Sequence, residues 1–410
     1  MIRLTLTAIF ILLLLGRSSL SPEDPVEQIR AYTRELEFDF VSWSLSAMWT
    51  KLSHSALSVD TYLPSPGRKD LVLDYLGLVN QIQSIEGQIN AIFTDPSIAD
   101  PQAATYEFRK ELQSLHKQQD YLKPIAEAVI QNQITEVVAE LGLGYGGQPI
   151  PPILYHSTPL PTALVVSPRE TIEQKAMISL QPDLAVEQRV FLEDRVDTDL
   201  DVSSLVVNIG GIAVYPTMIL QTTNMNYITE IVAHEWIHNY FTLRPLGLYY
   251  FSSPESRTIN ETAATIGGKE IGRLVMERYY PELLPPPPPE PPEVDEPPLA
   301  PVFNFRAEMH TTRLVVDDLL AEGKVEEAEA YMEERRRFFW DHGYQIRKLN
   351  QAYFAFHGAY ADHPEGPAGD DPVGEAVRQF FKFSPSLTYF IERIAWITSL
   401  EQLQLALEDL

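Results

Sequence analysis

The stretch IVAHEWIHNYF, residues 231–241, sets His234 and His238 four positions apart with Glu235 beside the first. On an α-helix positions i and i+4 stand one above the other on the same face. Two imidazoles so placed can meet one metal ion, and a glutamate next to them can reach a water held there. HExxH therefore predicts two zinc ligands and a general base on a helix from about Asn226 to Tyr240. Ile231, Val232 and Ile237 would bury that helix. The competing reading is a core helix that carries two histidines by chance.

A catalytic zinc of this kind takes three protein ligands and leaves one position open. The metzincin extension HExxHxxGxxH is excluded, because Phe241 and Arg244 stand where it needs Gly and His. Further along the chain, SPESRTINETAATIGGKEIG, residues 253–272, reads as a helix opening near Thr258 with Glu261 on its first turn. Glu261 would complete a His, His, Glu set, with Glu255 and Glu270 in reserve. Two other readings compete. Thr258 and Glu261 match a capping box, and Asn260-Glu261-Thr262 matches a glycosylation sequon.

HEWIH and, downstream of it, NETAAT resemble the gluzincin peptidases, whose second motif carries a glutamate ligand in an NE dipeptide at a helix start. The later RRRFF and LNQAYFAFHGAYA are similar to the C-terminal region of bacterial aminopeptidase-like proteins that share HExxH and NExxA. The resemblance covers roughly residues 200–362 and implies zinc at His234, His238 and Glu261. Thermolysin-like members keep an acidic residue four positions beyond the glutamate to orient a histidine. Here that place is Thr265, so Asn239 or a backbone carbonyl is expected to serve instead.

Peptide hydrolysis also needs a donor for the developing oxyanion. In LNQAYFAFHGAYA, residues 349–361, Asn350, Tyr353, His357 and Tyr360 are spaced to form one polar stripe on an apolar helix. Tyr353 and His357 are the candidate catalytic donors. The other reading is a buried helix whose polar groups bond within the fold. Arg335, Arg336 and Arg337 read as a solvated face.

The rest of the chain limits the possibilities. A net charge of -26 provides no basic footprint, so nucleic acid is not an expected partner. With no cysteine, disulfides, thiolate metal sites and a cysteine nucleophile are excluded. Residues 1–21 carry one Arg ahead of an apolar run from Leu4 to Leu15. They read as a signal peptide or an N-terminal membrane anchor, with a buried core helix as the alternative. Residues 22–145 read as helical, with 70–93 and 104–140 forming an antiparallel hairpin broken at Asp95, Pro96, Asp100 and Pro101.

Residues 146–280 form the expected catalytic region. Strands are expected at ALVVS, AMISL and SLVVNIGGIAVYP, a helix at DLAVEQRVFLEDRV, and a bulge or bend at Gly210 and Gly211. The proline-rich stretch 281–301 is expected to be a disordered insertion without helix or ladder, and residues 302–410 a helical C-terminal region. The expected fold is α+β, a zincin-like metallopeptidase core with a small mixed sheet and an active-site helix between helical regions. The expected function is an exported or membrane-anchored zinc metallopeptidase acting on a peptide or protein. The alternative is an exported helical scaffold, or an inactive pseudo-peptidase with a structural or absent metal.

Overall fold

A computed structural model of the chain describes residues 24–55, 64–94, 97–284, 303–361, 363 and 366–410. The expected signal or anchor, residues 1–21, and residues 285–301 of the proline-rich stretch lie outside them. The first residues of that stretch, Pro281–Leu283, form a single 3-10 turn. This corrects the expectation of no helical structure there, since a proline at the first position of a turn needs no donor. No helix among the described residues is long and apolar enough to cross a membrane.

The chain is α+β and divides into two units, each built from three separate segments. The described residues of 24–38, 161–208 and 308–357 make the first; those of 39–160, 209–307 and 358–410 make the second. A contiguous division at 146–280 is therefore not what the fold adopts. The described strands are β1 (Tyr155–Ser157), β2 (Thr162–Pro168), β3 (Ala176–Leu180), β4 (Val202–Asn208), β5 (Gly211–Ile212) and β6 (Thr217–Ile219). They form two sheets rather than one, ordered β3-β2-β4 in the first unit and β1-β6-β5 in the second.

In the first unit β2 is central, with Leu164 opposite Ile178 of β3 and Val206 of β4 in antiparallel register. Residues 162–167 are all buried, which explains a continuous apolar run instead of alternation. One face packs Leu164, Val166 and Val206 against Leu192 and Val196 of the helix Val186–Leu200. The helix Gln351–His357 packs on β2 and β4, and Asn350 Nδ2 donates to the Ser204 carbonyl at 2.9 Å. Helices Phe305–Ala321 and Val325–Asp341 form a hairpin that turns at Gly323, whose φ of 75° favours glycine. Arg335 donates to Thr312 Oγ1 at 2.9 Å and pairs with Glu308, so it ties the two helices together. Of the three arginines read as a solvated face, only Arg337 is largely exposed.

In the second unit the expected hairpin is present, as Ser65–Thr94 and Tyr106–Glu140. Leu78, Ile82 and Ile85 of its first helix pack on Leu115 of the second. Each such burial is worth about 1.5–3 kcal/mol, enough to hold the pair without sheet support. The centre of the unit is the helix Met225–Phe241, which carries HExxH and is called the motif helix below. Its neighbour Pro254–Tyr279, the ligand helix, carries Glu261. Both are buried on most sides, the first by Val232, Trp236, Ile237 and Phe241, as befits helices inside a bundle.

Glycine sets how closely these two helices approach. A Cβ on Gly268 would stand 2.9 Å from His234 Cβ, and one on Gly272 would stand 2.9 Å from the Glu230 amide nitrogen. With hydrogen there instead, the backbones approach closely. Three C-terminal helices, Pro372–Phe383, Leu387–Ile394 and Leu400–Glu408, complete the unit, with Phe390, Ile391 and Ile394 in its core. The small sheet is mixed, β1 parallel and β5 antiparallel to β6. Asn239 Nδ2 donates to Thr217 Oγ1 at 3.2 Å, tying the motif helix to β6.

Candidate metal centre

The motif helix starts at Asn224, whose side chain accepts from the Tyr227 amide, and it runs through the predicted span. The ligand helix starts earlier than expected. Ser253 caps it by accepting from Ser256 N, and Pro254 occupies the first position, where no donor is required. Glu261 consequently lies on the third turn and closes no helix end, so the capping-box reading falls. Asn260 is 1% exposed inside the same helix, a position closed to a glycan. The reserve ligands have other contacts: Glu255 accepts from the Leu400 amide, and Glu270 pairs with Arg273.

His234, His238 and Glu261 converge. The two imidazole Nε2 atoms stand 3.0 Å apart, and Glu261 Oε2 lies 3.7 Å from His234 Nε2 and 3.5 Å from His238 Nε2. Three atoms bonded to a tetrahedral ion at about 2.1 Å would stand about 3.4 Å from one another. Oε2 is buried with no hydrogen-bond partner, and leaving a buried carboxylate oxygen so costs free energy unless a cation satisfies it. Two imidazole nitrogens and one carboxylate suit a divalent transition metal, Zn²⁺ being one of several. These residues fit a metal ion.

The remaining valences are directed by neighbours. Asn260 Nδ2 donates to the Leu246 carbonyl at 3.0 Å, which turns Oδ1 toward His238 Nδ1 at 2.7 Å. Nδ1 then carries the proton and Nε2 keeps its lone pair for an ion. This is the orienting role expected of Asn239. Thr265 brings its hydroxyl to 3.5 Å from His234 Nδ1. The Tyr250 phenol donates to Glu261 Oε1, leaving Oε2 as the free oxygen.

Charge and burial act together here. Burial pushes the Glu261 carboxyl up, but the two imidazoles overcome it and hold the group well below the ordinary range. Burial pulls His238 down, yet Glu261 carries it up to about 9, so an ion binding at Nε2 would have to displace a proton there. Glu235 is raised, first by burial and then by Glu261, while the imidazoles pull it back. Burial and Glu261 push the Tyr250 phenol up, and the same causes raise Tyr360, so both remain neutral donors.

Gly211 of β5 lies against Glu235, since a Cβ there would come 2.5 Å from Glu235 Oε1. The Gly210–Gly211 pair is thus a close approach to Glu235 and Tyr227, beyond the bulge or bend read from sequence. The candidate donors Tyr353 and His357 lie at the end of the first unit, with ring centroids 4.4 Å apart. Their helix stops at His357, so Tyr360 is not on the same stripe. It belongs to the second unit, where its ring stacks on His234 with centroids 6.4 Å apart. Sequence reading missed Asn260, Tyr250, Gly211 and Gly268. The NE dipeptide and the spacing of Gly267, Gly268 and Gly272 carried a signal for two of them.

Compared with family models, with curated proteins and with solved structures, the chain finds no match.

Proposed function

We propose that the second unit is a zincin-like core and that the protein is a zinc-dependent metallopeptidase of gluzincin type. The observation that carries the reading is Glu261 Oε2, buried without a bonded partner and facing two Nε2 atoms that are 3.0 Å apart. His234, His238 and Glu261 would hold the ion. When bound, Zn²⁺ supplies a Lewis acid for the scissile carbonyl and makes a nearby water more acidic. Glu235, raised by burial, takes the proton of the attacking water and delivers it to the leaving amine. Asn260 and Tyr250 keep His238 and Glu261 in place during the reaction. Tyr360, a neutral phenol beside His234, is the donor within this unit for the developing oxyanion.

The apolar run from Leu4 to Leu15 supports a location outside the cytoplasm, with a peptide or protein as substrate. The test is metal content and turnover of the purified full chain. One zinc per chain is expected, with hydrolysis of a mixed peptide panel that a chelator abolishes and added zinc restores. A chain that binds zinc stoichiometrically and cleaves nothing in the panel would favour a structural metal.

A further inference from the structure

The segment joining the motif helix to the ligand helix exposes large apolar side chains beside the metal centre. Leu243 is 86% exposed, Leu248 67%, Tyr249 56% and Phe251 84%. Residues 245–252, PLGLYYFS, hold no charged side chain in a chain of net charge -26. Loops normally present polar groups to water, and clustered exposed apolar groups mark places where something binds.

The segment is held in place. Leu246 is fully buried and its amide donates to the Ala395 carbonyl at 3.0 Å, next in the chain to Trp396, itself 63% exposed. Ser252 Oγ donates to the Tyr249 carbonyl at 2.7 Å. Between the two exposed rings, Tyr250 turns inward and donates to Glu261. The Phe251 ring packs edge-on against that of Tyr250 with centroids 4.7 Å apart, so the exposed surface begins one ring away from a metal ligand.

We infer that Leu248, Tyr249 and Phe251 form a specificity surface for an apolar side chain of the polypeptide substrate, close to the bond being cleaved. This rests on the peptidase reading of the cluster. Adjacency to the centre selects the occupant: Phe251 packs on Tyr250, which donates to Glu261, so a polypeptide whose scissile bond lies at the cluster has this surface within a residue or two of that bond. The cluster itself offers imidazoles and carboxylates, which discriminate poorly among side chains, whereas an apolar surface does so directly. One apolar side chain seated on such a surface changes kcat/KM by about 10–200-fold.

The experiment compares two fluorogenic peptides, one with Leu and Phe flanking the scissile bond and one with Ser at both places. The zinc-loaded parent is expected to favour the apolar peptide by about 10–200-fold. In the double variant Leu248→Ser, Phe251→Ser the ratio should approach one, through a raised KM for the apolar peptide and an unchanged rate on the Ser peptide. Equal rates with the parent, or a preference that survives the double substitution, would overturn the inference. A binding arm uses Glu235→Gln protein and the same peptides, read by fluorescence anisotropy. Preferential binding of the apolar peptide, lost on adding the two Ser substitutions, supports the surface even if the parent hydrolyses neither peptide, a result that would count against the peptidase reading alone. Binding indifferent to those substitutions overturns it. Co-sedimentation with phosphatidylcholine vesicles, or a concentration-dependent dimer, abolished by the same substitutions without any peptide preference, would assign the surface to lipid or to a second copy and would likewise overturn it.

Discussion

Gly268 of the ligand helix lies directly against His234 of the motif helix, so near that a Cβ on the glycine would stand 2.9 Å from the histidine Cβ and 3.0 Å from its Cα. A methyl group there must push the helices apart and carry Glu261 away from the imidazoles. Gly268→Ala is therefore expected to cost about 1–3 kcal/mol of stability by overpacking and to weaken zinc binding, although alanine is the better helix former. Gly77→Ala, in the exposed middle of Ser65–Thr94 with nothing within 4 Å, should instead stabilise by about 0.5–1 kcal/mol. Chemical denaturation of the two variants separates these effects, and a stabilised Gly268→Ala protein with parental metal affinity would refute the close-contact account.

Tyr250→Phe keeps the ring and removes the donor to Glu261 Oε1. The carboxylate then has two unsatisfied oxygens and freedom to turn, so zinc affinity should fall by about 10–100-fold. Competition with a chromophoric chelator measures it. Parental affinity in this variant would mean that the phenol does not orient the ligand.

Glu235→Gln should retain zinc and lose hydrolysis, because the three ligands remain while the proton acceptor is gone. Gly211→Ala approaches the same group from β5, where the new methyl would meet Glu235 Oε1 at 2.5 Å. It should lower kcat with zinc content unchanged. Normal turnover in Glu235→Gln would end the proposed role of this residue.

A pH dependence arises away from the metal centre, at Glu127 in the second unit. Its buried carboxylate accepts from Lys51 Nζ at 2.6 Å, from His156 Nδ1 at 3.1 Å and from the Ser157 amide at 2.8 Å. Burial raises this group, but Lys51 and His156 outweigh it and bring it down to about 2 from an ordinary 4.5. A depressed folded value gives stability that is complete above pH 4.5 and is lost as the pH falls through about 2, on the order of 3 kcal/mol in all. Glu127→Gln should be less stable at neutral pH, because Lys51 is left buried without its counter-charge, and should show a flatter acid limb. Urea unfolding at pH 3, 5 and 7 tests both statements. Parallel acid limbs for parent and variant would remove Glu127 from the account.

Helix periodicity is local, and it was legible. His234, Glu235 and His238 share a face because 3.6 residues make a turn, and any helical conformation of 231–241 produces that arrangement. The hairpin of Ser65–Thr94 and Tyr106–Glu140 was equally readable, because its apolar stripes and the Asp and Pro residues between them act within a few residues. Glu261 was nameable as a ligand through the NE dipeptide. Its place on the helix was misread because Ser253 and Pro254 start the helix a turn sooner than Thr258.

Only the tertiary structure decided which helix lies beside which, and most of the centre depends on that. Asn260 reads as part of a sequon until it is buried against His238 and the Leu246 carbonyl. The glycines at 267, 268 and 272 weaken a helix in isolation, and their use appears only when a second backbone fills the space they leave. The strands at 162–180 and 202–208 joined a different unit from the sheet beside the motif helix, because ladder partners are chosen by burial across distant segments. By itself the sequence determined the kinds of chemical group available and the local faces that carry them. Their convergence was set by the close approach of two helices, a non-local packing event that no short window of residues encodes.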